Sequence, residues 1–236
     1  MKTHTAPKYL LCSGYHRSPP AQAGYDHFFP IWLANVSNLS PQPERIIIIC
    51  DSGARPPLQD CPPEQACKVT VIPLTGDLGN CHATLNKIKN YDYGGWSGVV
   101  LVGALLAYLN ETHLVFFEED VLAYGPVIWK MFEEIEDAGI IFGSTDGQPC
   151  AQSLFLLKHD YINTFVRLML SQGKQDKQEE LGEHQFRRLE QQNPDKWKRF
   201  SFGFDRSRPI NYDDHAWYAQ HLTSDEMDEL RKRKLI

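Results

Sequence analysis

The chain has 236 residues and a formal net charge of −6. That length can bury a core large enough for one α/β domain, and the acidic balance argues against a nucleic-acid partner, which needs a concentrated basic surface. The longest mostly apolar stretch, residues 96–109, falls short of the roughly 20 residues that cross a bilayer as a helix. The polar opening residues and the short apolar run 9–12 do not form a signal-peptide core. Six cysteines, at 12, 50, 61, 67, 81 and 150, show no CxxC pair, so reduced thiols and a reducing compartment, the cytoplasm, are expected.

Taken in order, the chain alternates strands and helices. Residues 8–13 form a first predicted strand ending in Gly14-Tyr15-His16-Arg17, followed by a helix over 21–35. The four isoleucines of residues 45–50 mark a second, buried strand closed by Asp51-Ser52-Gly53. A proline-rich loop leads to a strand over 68–72, then to the polar turn Thr75-Gly76-Asp77-Leu78-Gly79-Asn80 and the apolar helix at 96–109. These are βα units, so residues 1–145 are expected to build a mainly parallel sheet covered by helices.

The run Leu114-Val115-Phe116-Phe117-Glu118-Glu119-Asp120 carries the strongest signal. A continuous Leu-Val-Phe-Phe segment needs burial on both faces, and this places the acids at the carboxyl edge of a sheet, where α/β folds bind ligands. Adjacent carboxylates repel unless a cation or hydrogen-bond donors offset their charge, and their oxygens suit hard ions such as Mg²⁺ or Mn²⁺. The plainer alternative is a solvated acidic turn. Pro126 then opens a helix with Ile128, Met131, Phe132 and Ile135 on one face. Strands at 139–142 and 153–157, a helix through Ile162, Phe165, Val166 and Met169, a polar loop at 171–180 and a helix at 181–191 follow. The chain is expected to be a single domain over 1–236.

In this order of elements, Phe116-Phe117-Glu118-Glu119-Asp120 followed by residues 121–126 resembles the metal-binding motif of the GT-A fold of nucleotide-sugar glycosyltransferases. The acid triplet is similar to that of the N-acetylglucosaminyltransferase I type. The resemblance covers residues 1–157, and no Gln-x-x-Arg-Trp segment follows. It implies a GT-A-like, Rossmann-type sheet, with 1–145 as the nucleotide-sugar-binding half and 146–236 as the acceptor-side half, and transfer of a sugar from a nucleoside-diphosphate sugar, UDP-linked by preference, to a glycan, lipid-linked or protein acceptor. A divalent ion, Mn²⁺ or Mg²⁺, would stabilise the charge that builds on the departing diphosphate.

The resemblance also implies roles. Asp120 would ligate the metal, Glu118 would bind the ribose or reach the metal through water, and Glu119 is grouped with them on the donor side or points away. Asp51 matches the acid that contacts the nucleotide. From their places after strands, Gly14, Arg17 and Asp77 are donor-site candidates, Arg17 through bidentate contact with a phosphate; Gly79 and Asn80 share the Asp77 turn. Glu183 is the first candidate for a catalytic base and Asp146 the second. A late histidine completes the metal shell in several members of the fold, which brings in His215, beside Asp213 and Asp214, and also His221.

Two other readings stay open. A sugar nucleotidyltransferase also uses a carboxylate-held Mg²⁺, but Gly14-Tyr15-His16-Arg17 lacks the glycine density its signature needs. A non-catalytic sugar- or nucleotide-binding module would leave the triplet a solvated turn. Trp197, Phe200, Phe202, Phe204, Trp217 and Tyr218 are candidates for a sugar-stacking wall or for core. A capping box at Thr223 to Glu226 starts a last helix, and its terminal Arg231-Lys232-Arg233-Lys234 either serves the helix end or gives weak peripheral contact with anionic lipid.

Overall fold

The computed structural model describes residues 6–15, 22–50, 55–74, 95–143, 151–172, 182–204 and 207–236. Its elements, in chain order, are β1 (Tyr9–Tyr15), α1 (Gln22–Ser37), β2 (Arg45–Cys50), α2 (Pro63–Ala66), β3 (Val69–Pro73), α3 (Gly95–Leu109), β4 (His113–Phe117), β5 (Val121–Tyr124), α4 (Val127–Glu134) and β6 (Ile140–Gly143). There follow β7 (Ala151–Leu157), α5 (His159–Gln172), α6 (Gly182–Gln192), β8 (Trp197–Arg199), β9 (Trp217–Gln220) and α7 (Ser224–Lys232).

Among the described residues, seven strands form one sheet in the order β3-β2-β1-β4-β7-β6-β8. The first four are mutually parallel, and β7 runs antiparallel to both β4 and β6. The fold is therefore α/β with a mixed, mostly parallel sheet, as expected from the βα alternation. Residue 145 does not divide the sheet, because β7 from beyond it lies between β4 and β6.

Strand side chains alternate between two faces, and each face has its own core. Tyr9, Leu11, Ile46, Ile48, Val115, Phe117, Leu154 and Leu156 join one cluster with Phe29 and Trp32 of α1 and Met131 of α4. Leu10, Cys12, Ile47, Ile49, Leu114, Phe116, Phe155 and Leu157 join the other with α3, α5 and α6. Burial on both faces is why the central strands are continuously apolar. Truncating a ring such as Phe116, stacked on Phe155 at 5.1 Å, would cost about 3–5 kcal/mol.

β5 and β9 form a separate two-stranded antiparallel ribbon, neither strand having been expected. Its Val121, Leu122, Ala219 and Trp217 are buried in the α1-side core. Of the two readings of the C-terminal aromatics, core holds for most: Trp197, Phe200, Trp217 and Tyr218 are buried, and Phe202 and Phe204 are half-buried. Trp197 packs edge-on against Phe186 at 4.8 Å, and Phe200 edge-on against Tyr218 at 5.3 Å.

The last helix carries the expected capping box, with Thr223 Oγ1 accepting the Glu226 N–H. Three of the four terminal cations are paired: Arg231 with Asp228, Lys232 with Glu229, and Arg233 with Asp213 and Glu229. Among the described residues no helix is long and apolar enough to cross a membrane.

Candidate functional site

Parallel strands leaving β1 in opposite directions across the sheet create a switch point between β1 and β4, and ligands of open α/β sheets settle beyond the carboxyl ends of such strands. The end of β4 delivers Glu118, Glu119 and Asp120 there. The turn is held from three sides. The Glu118 N–H donates to Ser153 O of β7 at 2.9 Å, its carbonyl accepts from Trp32 Nε1 of α1 at 2.9 Å, and the same carbonyl accepts the Val121 N–H at 3.1 Å.

The β5/β9 register pairs Val121 with Gln220, so the residue before β5 and the residue after β9 face each other. Asp120 Oδ2 consequently lies 3.0 Å from His221 Nε2, with the Asp120 side chain 15% exposed and that of His221 50%. Gln220, itself buried, aims its amide nitrogen between two acids, 2.6 Å from Glu118 Oε2 and 2.9 Å from Asp120 Oδ1. Two N–H groups thus offset the repulsion that the sequence poses, in the place where a cation would do the same.

Glu119 behaves differently. Its Oε2 is buried with no hydrogen-bond partner, and burial, then the charges of Asp120 and Glu118, hold its carboxyl well above the usual range. This inward placement does not support a donor contact for Glu119; Glu118 and Asp120 are the pair that converge.

The late histidine beside Asp120 is His221, not His215. His215 sits beyond the other end of the ribbon, where its carbonyl oxygen would be 2.0 Å from a Cβ added at Gly125, while Asp120 lies at the opposite end. The 3.0 Å contact is that of an imidazole–carboxylate hydrogen bond; one carboxylate and one imidazole are also donors of the types that Mn²⁺ accepts. Among the described residues no group of three His, Cys, Asp or Glu side chains converges to complete a shell.

Gly14 lies within β1, opposite Ile49 of β2, and a Cβ there would stand 3.2 Å from Val99 Cγ2 of α3. Close packing of strand on helix accounts for this glycine without a donor. Glu183 falls in the first turn of α6, and nothing is described of its side chain. Arg17, Asp51, Asp77, Gly79, Asn80 and Asp146 lie outside the described residues.

Sequence reasoning passed over Gln220, Trp32 and Asn35. Asn35 presents its amide to Ala123 of β5 as a neighbouring strand would, which fixes the ribbon against α1. The signal for Gln220 and His221 was present: a short apolar strand, Trp217-Tyr218-Ala219, ends in polar residues just as β4 does.

No protein-family model matches the chain, and no curated protein matches it. Solved structures do. Mouse xyloside xylosyltransferase 1 in its apo form superposes with a TM-score of 0.57 at 12% identity, over 94% of this chain and 99% of that one. A glycosyltransferase involved in glycosylation of the major capsid of PBCV-1 gives 0.53 at 11% identity over 96% and 100%. The galactosyltransferase LgtC, in complex with donor and acceptor sugar analogues, gives 0.52 at 10% identity over 92% and 87%. At such identities the likeness is one of architecture, and the architecture of this chain is the GT-A fold shared by nucleotide-sugar glycosyltransferases.

Proposed function

We propose that the chain is a metal-dependent glycosyltransferase that moves a sugar from a nucleoside-diphosphate sugar, UDP-linked by preference, to a hydroxyl of a glycan, lipid-linked or protein acceptor. The observation that carries the proposal is the convergence of Asp120 and His221 at 3.0 Å beyond the end of β4, in a fold whose solved relatives transfer sugars. Asp120 and His221 would hold Mn²⁺ or Mg²⁺, with Glu118 beside them. The ion supplies a positive charge for the leaving diphosphate. Gln220 keeps the two carboxylates apart and oriented, and the wall formed by Trp32 and β7 holds their backbone still.

Arg17, Asp51 and Asp77 are proposed donor contacts because they follow strands at the same edge in the sequence. Glu183 and Asp146 are the proposed bases for the acceptor hydroxyl. A reducing, cytoplasmic setting is proposed from the buried free thiols of Cys12 and Cys61.

The test is a panel of nucleotide sugars with Mn²⁺, read as release of nucleoside diphosphate, for the wild type and Asp120→Asn. Release from one donor class, lowered about 100-fold or more by Asp120→Asn, is expected. Full turnover in Asp120→Asn at saturating Mn²⁺ would end the metal role, and no release from any donor would end the transferase reading.

A further inference from the structure

His221 has φ +55, a left-handed backbone that costs a non-glycine residue about 1 kcal/mol or more. A side chain held at 3.0 Å from Asp120 in that conformation needs an outside support, and Arg208 provides one. Its Nη2 lies 3.0 Å from Gln220 O and 3.3 Å from His221 O, and its Nη1 donates to Ser207 O at 3.0 Å. Glu226 of α7 holds the other side of the guanidinium, with Oε2 at 3.2 Å from Nη2 and Oε1 paired with Nε. Glu226 is fixed in turn by the Thr223 N–H at 2.8 Å. The two carbonyls that Arg208 grips belong to the two residues whose side chains meet Glu118 and Asp120.

We propose that Arg208 is a positioning residue for the metal site: its fork, braced by Glu226, fixes the backbone of Gln220 and His221 and thereby places both side chains against the acid pair. The inference rests on the metal reading proposed above. Both carbonyls meet the single nitrogen Nη2, while Nε and Nη1 reach Glu226 and Ser207 O; a planar guanidinium serves all of these partners at once from three nitrogens, and a lysine ammonium, with its donors on one atom, cannot. Outer groups that orient metal ligands typically carry about 10- to 100-fold of metal affinity.

The experiment titrates Mn²⁺ into the full chain by calorimetry for the wild type, D120N, R208Q, R208K and L230A, with melting curves in EDTA alongside. Leu230 is buried in α7, one turn beyond Glu226, so L230A lowers the melting temperature while deleting none of the groups that hydrogen-bond to Arg208. R208Q and R208K are expected to weaken Mn²⁺ binding about 10- to 100-fold, and L230A to leave it within about 2-fold despite its lower melting temperature. Wild-type affinity in R208K overturns the proposal and decides the matter if R208Q does not fold. An affinity loss in L230A equal to that of the Arg208 variants also overturns it, since general destabilisation would then explain both. Wild-type affinity in D120N would instead refute the metal reading and remove the basis for a role of Arg208 with it.

Discussion

Asn35 Nδ2 donates to the Ala123 carbonyl at 2.8 Å while its Oδ1 accepts the Ala123 N–H at 3.0 Å, so one side chain satisfies both backbone groups of a buried strand residue. Asn35→Ala leaves that donor and acceptor unpaired and should lower stability by about 1–3 kcal/mol. Urea unfolding followed by far-UV circular dichroism measures it, and an unchanged midpoint would show that α1 does not support the ribbon.

Gly125 has φ +74, and a Cβ there would stand 2.0 Å from the His215 carbonyl oxygen. Gly125→Ala combines strain with a backbone collision, so a loss of about 2 kcal/mol or more is expected. Gly14→Ala meets only Val99 Cγ2 at 3.2 Å and should be the milder variant. Thermal melts of the two side by side give the ranking; the reverse order would contradict the packing described.

Burial raises the Glu226 carboxyl, but the Thr223 N–H and the Arg208 guanidinium outweigh it and hold the group below its ordinary value of 4.5. A depressed folded-state value means that the stabilisation is complete above the ordinary value and fades as pH falls through the lower, folded one. Glu226→Gln should therefore melt below the wild type at pH 7, with the gap narrowing as pH drops under 4.5. A gap of constant size from pH 7 to pH 3 would refute the charge dependence.

Cys67 is exposed, whereas Cys12 and Cys61 are buried free thiols. Burial pushes the Cys12 thiol far above its usual range, which suppresses the thiolate that reacts. Brief maleimide labelling of the native protein, mapped by peptide mass, should modify Cys67 and spare Cys12 until denaturant is added. Equal labelling of the two would place Cys12 at the surface.

The large sheet was legible because its central strands are long apolar runs: Arg45–Cys50 coincides with the predicted strand, five others differ by a few residues at their ends, and among its described strands only the three-residue edge strand Trp197–Arg199 went unpredicted. The ribbon was not. Val121–Tyr124 and Trp217–Gln220 have four residues each and hydrogen-bond mainly to one another, so neither is long enough to display a period of its own. Asp120 was legible through the strand that delivers it. Which histidine joins it depends on the β5/β9 register, and the left-handed backbone of His221 has no mark in composition; the acids flanking His215 pointed to the wrong end. Arg208 escaped notice because its partners at the site are backbone carbonyls, which every residue has.

The strands of the large sheet are all in place by Arg199, but the acid pair waits for β9. A chain ending before Trp217 would retain every partner of β4 in that sheet and lose the amide and the imidazole that face Glu118 and Asp120. During synthesis the carboxylates therefore emerge long before the groups that complement them, and closing so long a loop is an entropic cost borne late. Assembly of the site thus reports the docking of β9, since a molecule clipped before Trp217 keeps the seven sheet strands in its sequence and lacks the amide and the imidazole that face the acid pair.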